Sequence, residues 1–224
     1  MTLPGVENRI AFVRAHTKLL SPSIVPEIKL HLAGEVMNLW TETEAQSSAL
    51  AFGVEHLPPP YWAFAWPGGQ AVARYILDHP AEVAGQAVLD FGAGSGLVAI
   101  AAAKAGANPV IAAELDPLAL AAMELNGAAN GVFIEPVEHD IIGTNGRWGT
   151  VLAGDMCYER PLAERLLGWL RSLAAEGARV LIGDPGRNYF PAGGVERLVT
   201  YSVPTSRDLE DREMRETSVY VLLP

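Results

Sequence analysis

The amino-acid sequence predicts an α/β protein built on a doubly wound, Rossmann-like seven-stranded sheet, parallel with an antiparallel edge strand, carrying an N-terminal helix and β-hairpin extension. Three observations predict it. Between residues 87 and 182, short buried-strand patterns alternate with Ala- and Leu-rich helical ones, as in parallel strands joined by helical crossovers. A glycine-rich turn, Gly92-Ala93-Gly94-Ser95-Gly96, stands where the first of these strands passes into a helix. The next strand ends in a carboxylate, Glu114, about 20 residues beyond the glycines.

Residues 1–22 predict a helix through Ile10, Val13, Thr17 and Leu20, stopped by Pro22. In 27–32, Ile28, Leu30 and Leu32 alternate with polar neighbours, and after the Ala33-Gly34-Glu35 turn residues 36–40 continue extended, which predicts a hairpin. The segment LPPPYWAFAWPGG at 57–69 sets four prolines and two glycines among large aromatics and predicts an ordered loop, followed by a helix over 70–78. Strand and helix then alternate: strand 87–91, helix 97–105, strand 110–114, helix 117–131, strands 134–139 and 150–154, helix 161–175, strand 179–182. Extended segments 195–203 and 217–223, separated by charged residues, predict an antiparallel pair at the sheet edge. The organisation is thus an extension over 1–69 and a ligand-binding domain over 70–224.

Composition narrows the function classes. A formal charge of −10 without a basic cluster argues against nucleic acid as partner and favours a basic protein surface. The longest apolar run, 97–103, is stopped by Lys104 and falls far short of the roughly 20 residues that span a bilayer. No secretory signal is read at the N-terminus, and a single cysteine, Cys157, fits a reducing compartment, so a cytoplasmic protein is expected; a monomer is the expected state. Cys157 reads as a small buried side chain, and the five histidines show no ligand spacing, so no metal is expected.

The glycine turn is the strongest functional signal. Glycines at a strand-to-helix turn let the backbone approach a ligand closely, beside the helix N-terminal amides. Gly92, Ala93, Gly94 and Gly96, preceded by Asp90, are therefore candidate cofactor-binding residues, and Glu114 is placed to accept hydrogen bonds from ribose hydroxyls. Asp116, just before Pro117, is read first as a helix N-cap. A dinucleotide site usually reads G-x-G-x-x-G, whereas these glycines read G-x-G-x-G; an NAD-dependent oxidoreductase or a nucleotide-binding module remains the different-class alternative.

The segment Asp90 to Gly96 resembles motif I of class I S-adenosylmethionine methyltransferases, and Glu114-Leu115-Asp116-Pro117 resembles their acidic second-strand motif. The resemblance implies S-adenosyl-L-methionine as cofactor, held at the ribose by Glu114 beside Leu115 and at the adenine by Asp140 and Ile141. PPPYWAFAWPGGQ, GDMCYE and the Leu39-Trp40 pair resemble the protein-lysine methyltransferase branch acting on the β subunit of electron transfer flavoprotein. Asp155 and Tyr158 match the acidic-x-x-Tyr pattern of the wider seven-strand lysine methyltransferase set, and the resemblance implies catalytic roles for both and a cofactor contact for Asp155. Chemistry supports this, because a lysine amine attacks a methyl group only when neutral, desolvated and in line, which needs acceptors and aromatic walls. Trp66 is the expected aromatic contact to the cofactor, while Trp62 and Trp66 could equally pack core. The expected partner is a protein presenting lysines, the flavoprotein β subunit first; a ribosomal protein or a small metabolite are alternative acceptors.

Overall fold

The computed structural model describes residues 6–34, 39–40, 57–207 and 209–224. Its centre is a seven-stranded sheet. Strands β3 (Val88–Phe91), β4 (Val110–Ala113), β5 (Glu135–Val137), β6 (Thr150–Gly154) and β7 (Arg179–Asp184) are mutually parallel. Strand β9 (Met214–Leu222) pairs antiparallel with both β7 and β8 (Val195–Pro204), giving the antiparallel edge that the sequence predicts. The order across the sheet is β5-β4-β3-β6-β7-β9-β8. All four residues of β3 and the first four of β6 are buried, the consequence of helices covering both faces of a parallel sheet. At one edge β5 is only three residues long and carries Pro136 at its centre.

Five described helices flank this sheet. α2 (Pro67–Asp78) and α3 (Leu97–Lys104) pack one face through Val72, Ile76, Ile100 and Leu152. α5 (Arg160–Ala175) covers the other, setting Leu166 and Leu170 against Leu89, Val151 and Val180. α4 (Pro117–Asn130) joins α1 (Val6–His16) in a third apolar cluster around Trp62, with Val13, Leu118 and Ala122. α2 meets the sheet without intervening side chains: a Cβ on Gly68 would stand 2.3 Å from the Gly183 carbonyl oxygen, and one on Gly154 would stand 2.7 Å from the Gly69 Cα.

The extension differs from the sequence reading. The first helix ends at His16, and Lys18–Leu20 forms β1, which pairs antiparallel with β2 (Leu30–Leu32). The hairpin partner expected at 36–40 is therefore not the partner of β2; residues 36–38 lie outside the described residues, and Leu39 and Trp40 are helical. Non-local pairing decides here, since β2 also docks on α4: the His31 amide donates to Asn126 Oδ1 at 2.7 Å and the Lys29 amide to Asn130 Oδ1 at 3.1 Å. Within 57–69, Tyr61–Ala63 forms a 3-10 turn, and the helix expected from Gln70 begins at Pro67, which occupies the first helical position.

Candidate active site

A cavity of about 750 Å³ opens at the carboxyl ends of β3, β4 and β6, where the chain order reverses about β3. The glycine turn forms one wall. Gly92 (φ 67°) and Gly94 (φ 52°) adopt backbone angles that L side chains rarely take, and a Cβ on Gly92 would lie 2.3 Å from Met156 Sδ. Gly96 does not line the cavity: it is the left-handed residue before α3, and a Cβ there would meet Met123 Cγ at 2.9 Å. Behind the turn Asn126 Nδ2 donates to the Ser95 carbonyl at 2.8 Å, so one buried asparagine ties α4, β2 and the turn together.

Carboxylates organise the wall. Asp90 is buried and its Oδ2 accepts from the Ala99 amide at 2.9 Å, joining β3 to α3; burial, and next the Glu114 charge, push its acid up to about 7 against the opposing amide bond. Glu114 Oε2 accepts from Gly94 at 2.9 Å, and Oε1 accepts from Leu115 at 2.6 Å and Asp116 at 2.9 Å. A carboxylate has about four acceptor positions, so Glu114 keeps capacity for a hydroxyl donor. Asp116 caps α4 by accepting from Leu118 at 2.8 Å, as its place before proline predicts, and burial pushes it up to about 7. Asp140 accepts from the Ile142 amide at 3.0 Å and from Arg165 Nη2 at 2.6 Å, and the hydrogen bond from Arg165 holds it below the usual carboxylate range. Ile141 is buried beside it, and Leu115 lies exposed on the cavity rim.

The other end of the cavity is aromatic. Tyr61 packs edge-on against Trp40, Trp66 and Tyr158, each with ring centroids 5.7 Å apart. Trp66 Nε1 donates to the Tyr61 carbonyl at 2.8 Å, which leaves the indole half-buried on the wall. Trp62 is 1% exposed and packs into the α1–α4 cluster, while lining the cavity beside Trp66. Tyr158 is 39% exposed, and burial of its hydroxyl together with the Glu159 charge pushes it up to about 12.

Asp155 sits between these two ends. It is a non-glycine residue at φ 59°, a strained angle of the kind that concentrates at functional sites. Its amide donates to the Gly183 carbonyl at 2.9 Å and its Oδ2 accepts from the Gly69 amide at 3.1 Å. Burial raises its pKa, opposed by the charge and hydrogen bonds of Arg187. Arg187 is not among the expected site residues; its signal is Asp184-Pro185-Gly186-Arg187, a turn at the carboxyl end of the strand next to β6. Cys157 is buried, as expected, with its thiol pushed up to about 12 by burial and by Asp184 and Asp155.

The donor set fits a sulfonium nucleoside: a glycine cradle, a carboxylate with spare acceptor capacity on the second strand, an acceptor and an apolar side chain after the third, and aromatic faces beyond. Fold and site together define the class I methyltransferase type. The Ribosomal protein L11 methyltransferase (PrmA) family profile matches residues 75–145. The chain is 37% identical over 223 residues to the Electron transfer flavoprotein beta subunit lysine methyltransferase of Xenopus laevis, covering 96% of this chain and 87% of that protein. The Homo sapiens protein of the same name is 35% identical over 222 residues, covering 96% and 82%. The chain belongs to the electron transfer flavoprotein beta subunit lysine methyltransferase family. Its fold is similar to that of magnesium protoporphyrin IX methyltransferase (ChlM) from Synechocystis PCC 6803 with bound SAM, with a TM-score of 0.51 at 15% identity, covering 69% of this chain and 77% of that one.

Proposed function

We propose that this chain is a protein-lysine N-methyltransferase that uses S-adenosyl-L-methionine to methylate the β subunit of electron transfer flavoprotein. The observation that carries the reading is likeness along 96% of the chain to proteins bearing that name. The charge balance of −10 suits a lysine-bearing partner surface, and the single cysteine suits a reducing compartment such as the cytoplasm. Residues 70–224 act as the cofactor-binding domain, with 1–69 as its N-terminal extension.

When bound, the cofactor supplies an electrophilic methyl group on a sulfonium. Gly92, Ala93 and Gly94 would cradle it, Glu114 would accept from its ribose beside Leu115, and Asp140 would accept from its adenine amine with Ile141 close to the ring. Asp90 keeps β3 and α3 in register under the cradle. Trp66, Tyr61 and Tyr158 exclude water from the incoming side chain, and Asp155 orients its nitrogen. The hydroxyl of Tyr158 stays protonated at neutral pH and serves as donor and acceptor at the mouth. Proximity and a dry channel carry most of the rate enhancement.

The test is methyl transfer from labelled cofactor to purified flavoprotein β subunit, with lysine mapping by mass spectrometry. Asp155→Ala is expected to abolish turnover while still binding S-adenosylhomocysteine. Full turnover by that variant would end its orienting role. Label on a ribosomal protein or a metabolite, with none on the flavoprotein, would overturn the acceptor assignment.

A further inference from the structure

Arg187 reaches the cavity from the loop after β7 and lies between two buried carboxylates. Its Nη2 donates to Asp155 Oδ1 at 2.7 Å and to Glu210 Oε1 at 2.6 Å, and its Nε donates to Asp155 Oδ1 at 3.2 Å. Glu210 in turn accepts from Nε and Nη2 of Arg215 at 3.1 and 2.8 Å. The guanidinium carbon stands 5.8 Å from the centroid of the Trp66 ring, which limits where the arginine can move. Asp155 thus ends a row of alternating charge, Asp155–Arg187–Glu210–Arg215, whose far guanidinium also meets the exposed Asp211 at 3.2 Å, with Arg212 beyond it at 3.7 Å.

The surroundings of Asp155 are otherwise acidic. Asp184 ends β7 with one buried oxygen lacking a hydrogen-bond partner, Cys157, Tyr158 and Glu159 follow β6, and Asp90 and Glu114 line the cavity from β3 and β4. The first turn of α2, Pro67 to Gln70, presents only amides and one neutral side chain. Among the described residues lining the cavity, Arg187 is the one arginine or lysine. A lysine entering a site lined by carboxylates alone would be held as its ammonium, whose nitrogen has no free electron pair.

We propose that Arg187 is a positioning residue for methyl transfer, cancelling the charge of Asp155 so that the substrate amine is held there as the free base. The inference rests on the methyltransferase reading given above. The substrate ammonium releases one proton to solvent. Its nitrogen lone pair then forms the N–CH3 bond as the S–CH3 bond breaks, sulfur keeping the bonding pair and the positive charge passing to nitrogen. Without Arg187, Asp155 and the amine together retain one more proton at neutral pH, and the lone pair is blocked whichever group carries it.

The experiment measures kcat against pH for wild type, Arg187→Lys, Arg187→Gln and Glu210→Gln with purified flavoprotein β subunit. Arg187→Gln is expected to move the acid limb up by about one pH unit or more, with activity recovering at high pH. Arg187→Lys is expected to keep the wild-type limb, and Glu210→Gln, which leaves the guanidinium wholly to Asp155, to move it down. Carboxyl-carbon NMR of the free enzymes is expected to show Asp155 titrating at higher pH in Arg187→Gln than in wild type. A loss of kcat equal at all pH, or an acid limb that moves in neither Gln variant, overturns the proposal. If Arg187→Gln does not fold, an acid limb that stays or rises in Glu210→Gln overturns it. Absence of transfer by the wild type instead overturns the methyltransferase reading itself.

Discussion

The Gly94 amide donates to Glu114 Oε2 at 2.9 Å, so the carboxylate that ends β4 also fixes the shape of the turn that ends β3. Replacing Glu114 by Ala removes the acceptor for three amides as well as the proposed ribose partner. Charge-assisted hydrogen bonds contribute about 1.5–3 kcal/mol each. Calorimetry with S-adenosylhomocysteine is expected to show affinity falling by tenfold or more, with helical circular dichroism retained. Unchanged affinity would remove Glu114 from the cofactor site.

Two glycine substitutions are expected to act in opposite directions. In Gly68→Ala the new Cβ would meet the Gly183 carbonyl oxygen at 2.3 Å and Asp155 Oδ2 at 2.4 Å, and the backbone there cannot yield. A loss of about 3 kcal/mol or more is expected by chemical denaturation. Gly168 lies on the exposed side of α5, where an added methyl would have nothing within 4 Å, so Gly168→Ala is expected to add about 0.5–1 kcal/mol.

Asp90 carries a pH signature. Its acid is raised from 3.8 to about 7 in the fold, chiefly by burial. Between these values the folded state holds more protons than the unfolded one, so this group's contribution is complete below about pH 4 and is lost as pH climbs through about 7. Asn at position 90 keeps an acceptor for Ala99 without a charge. Wild type is therefore expected to lose stability relative to Asp90→Asn between pH 4 and 7, read from denaturation midpoints at several pH values. A constant difference would show that Asp90 does not titrate in that range.

The Cys157 thiol, 1% exposed and pushed up to about 12, is expected to resist alkylation and aromatic disulfides at pH 8 until the protein is unfolded. Quantitative labelling of the native protein within minutes would contradict its burial.

Most of the parallel sheet is legible because Leu89, Val151 and Val180 stand in short apolar runs whose alternation with helical patterns admits few topologies. Glu114, Asp140 and Asp155 are legible for a related reason: the first and last follow directly on parallel strands and Asp140 lies three residues past β5, and such sheets bind ligands at their carboxyl ends. The extension is harder. Lys18–Leu20 carries no strand signal of its own and becomes one through pairing with Leu30–Leu32 and through the contact of that strand with Asn126, neither of which periodicity records. Arg187 escapes a reading of the sequence because arginines abound on surfaces, and only the fold brings this one against Asp155. The start of α2 is misplaced there because Gly68 and Gly69 look like loop residues, although Pro67 before them is a favoured first residue of a helix.

The proline in β5 has a consequence for the molecule in crowded solution. Pro136 has no amide hydrogen and sits at the middle of a three-residue outer strand, so that rim offers a passing extended chain almost nothing to zip onto. The sheet stops growing there by the chemistry of one imino acid.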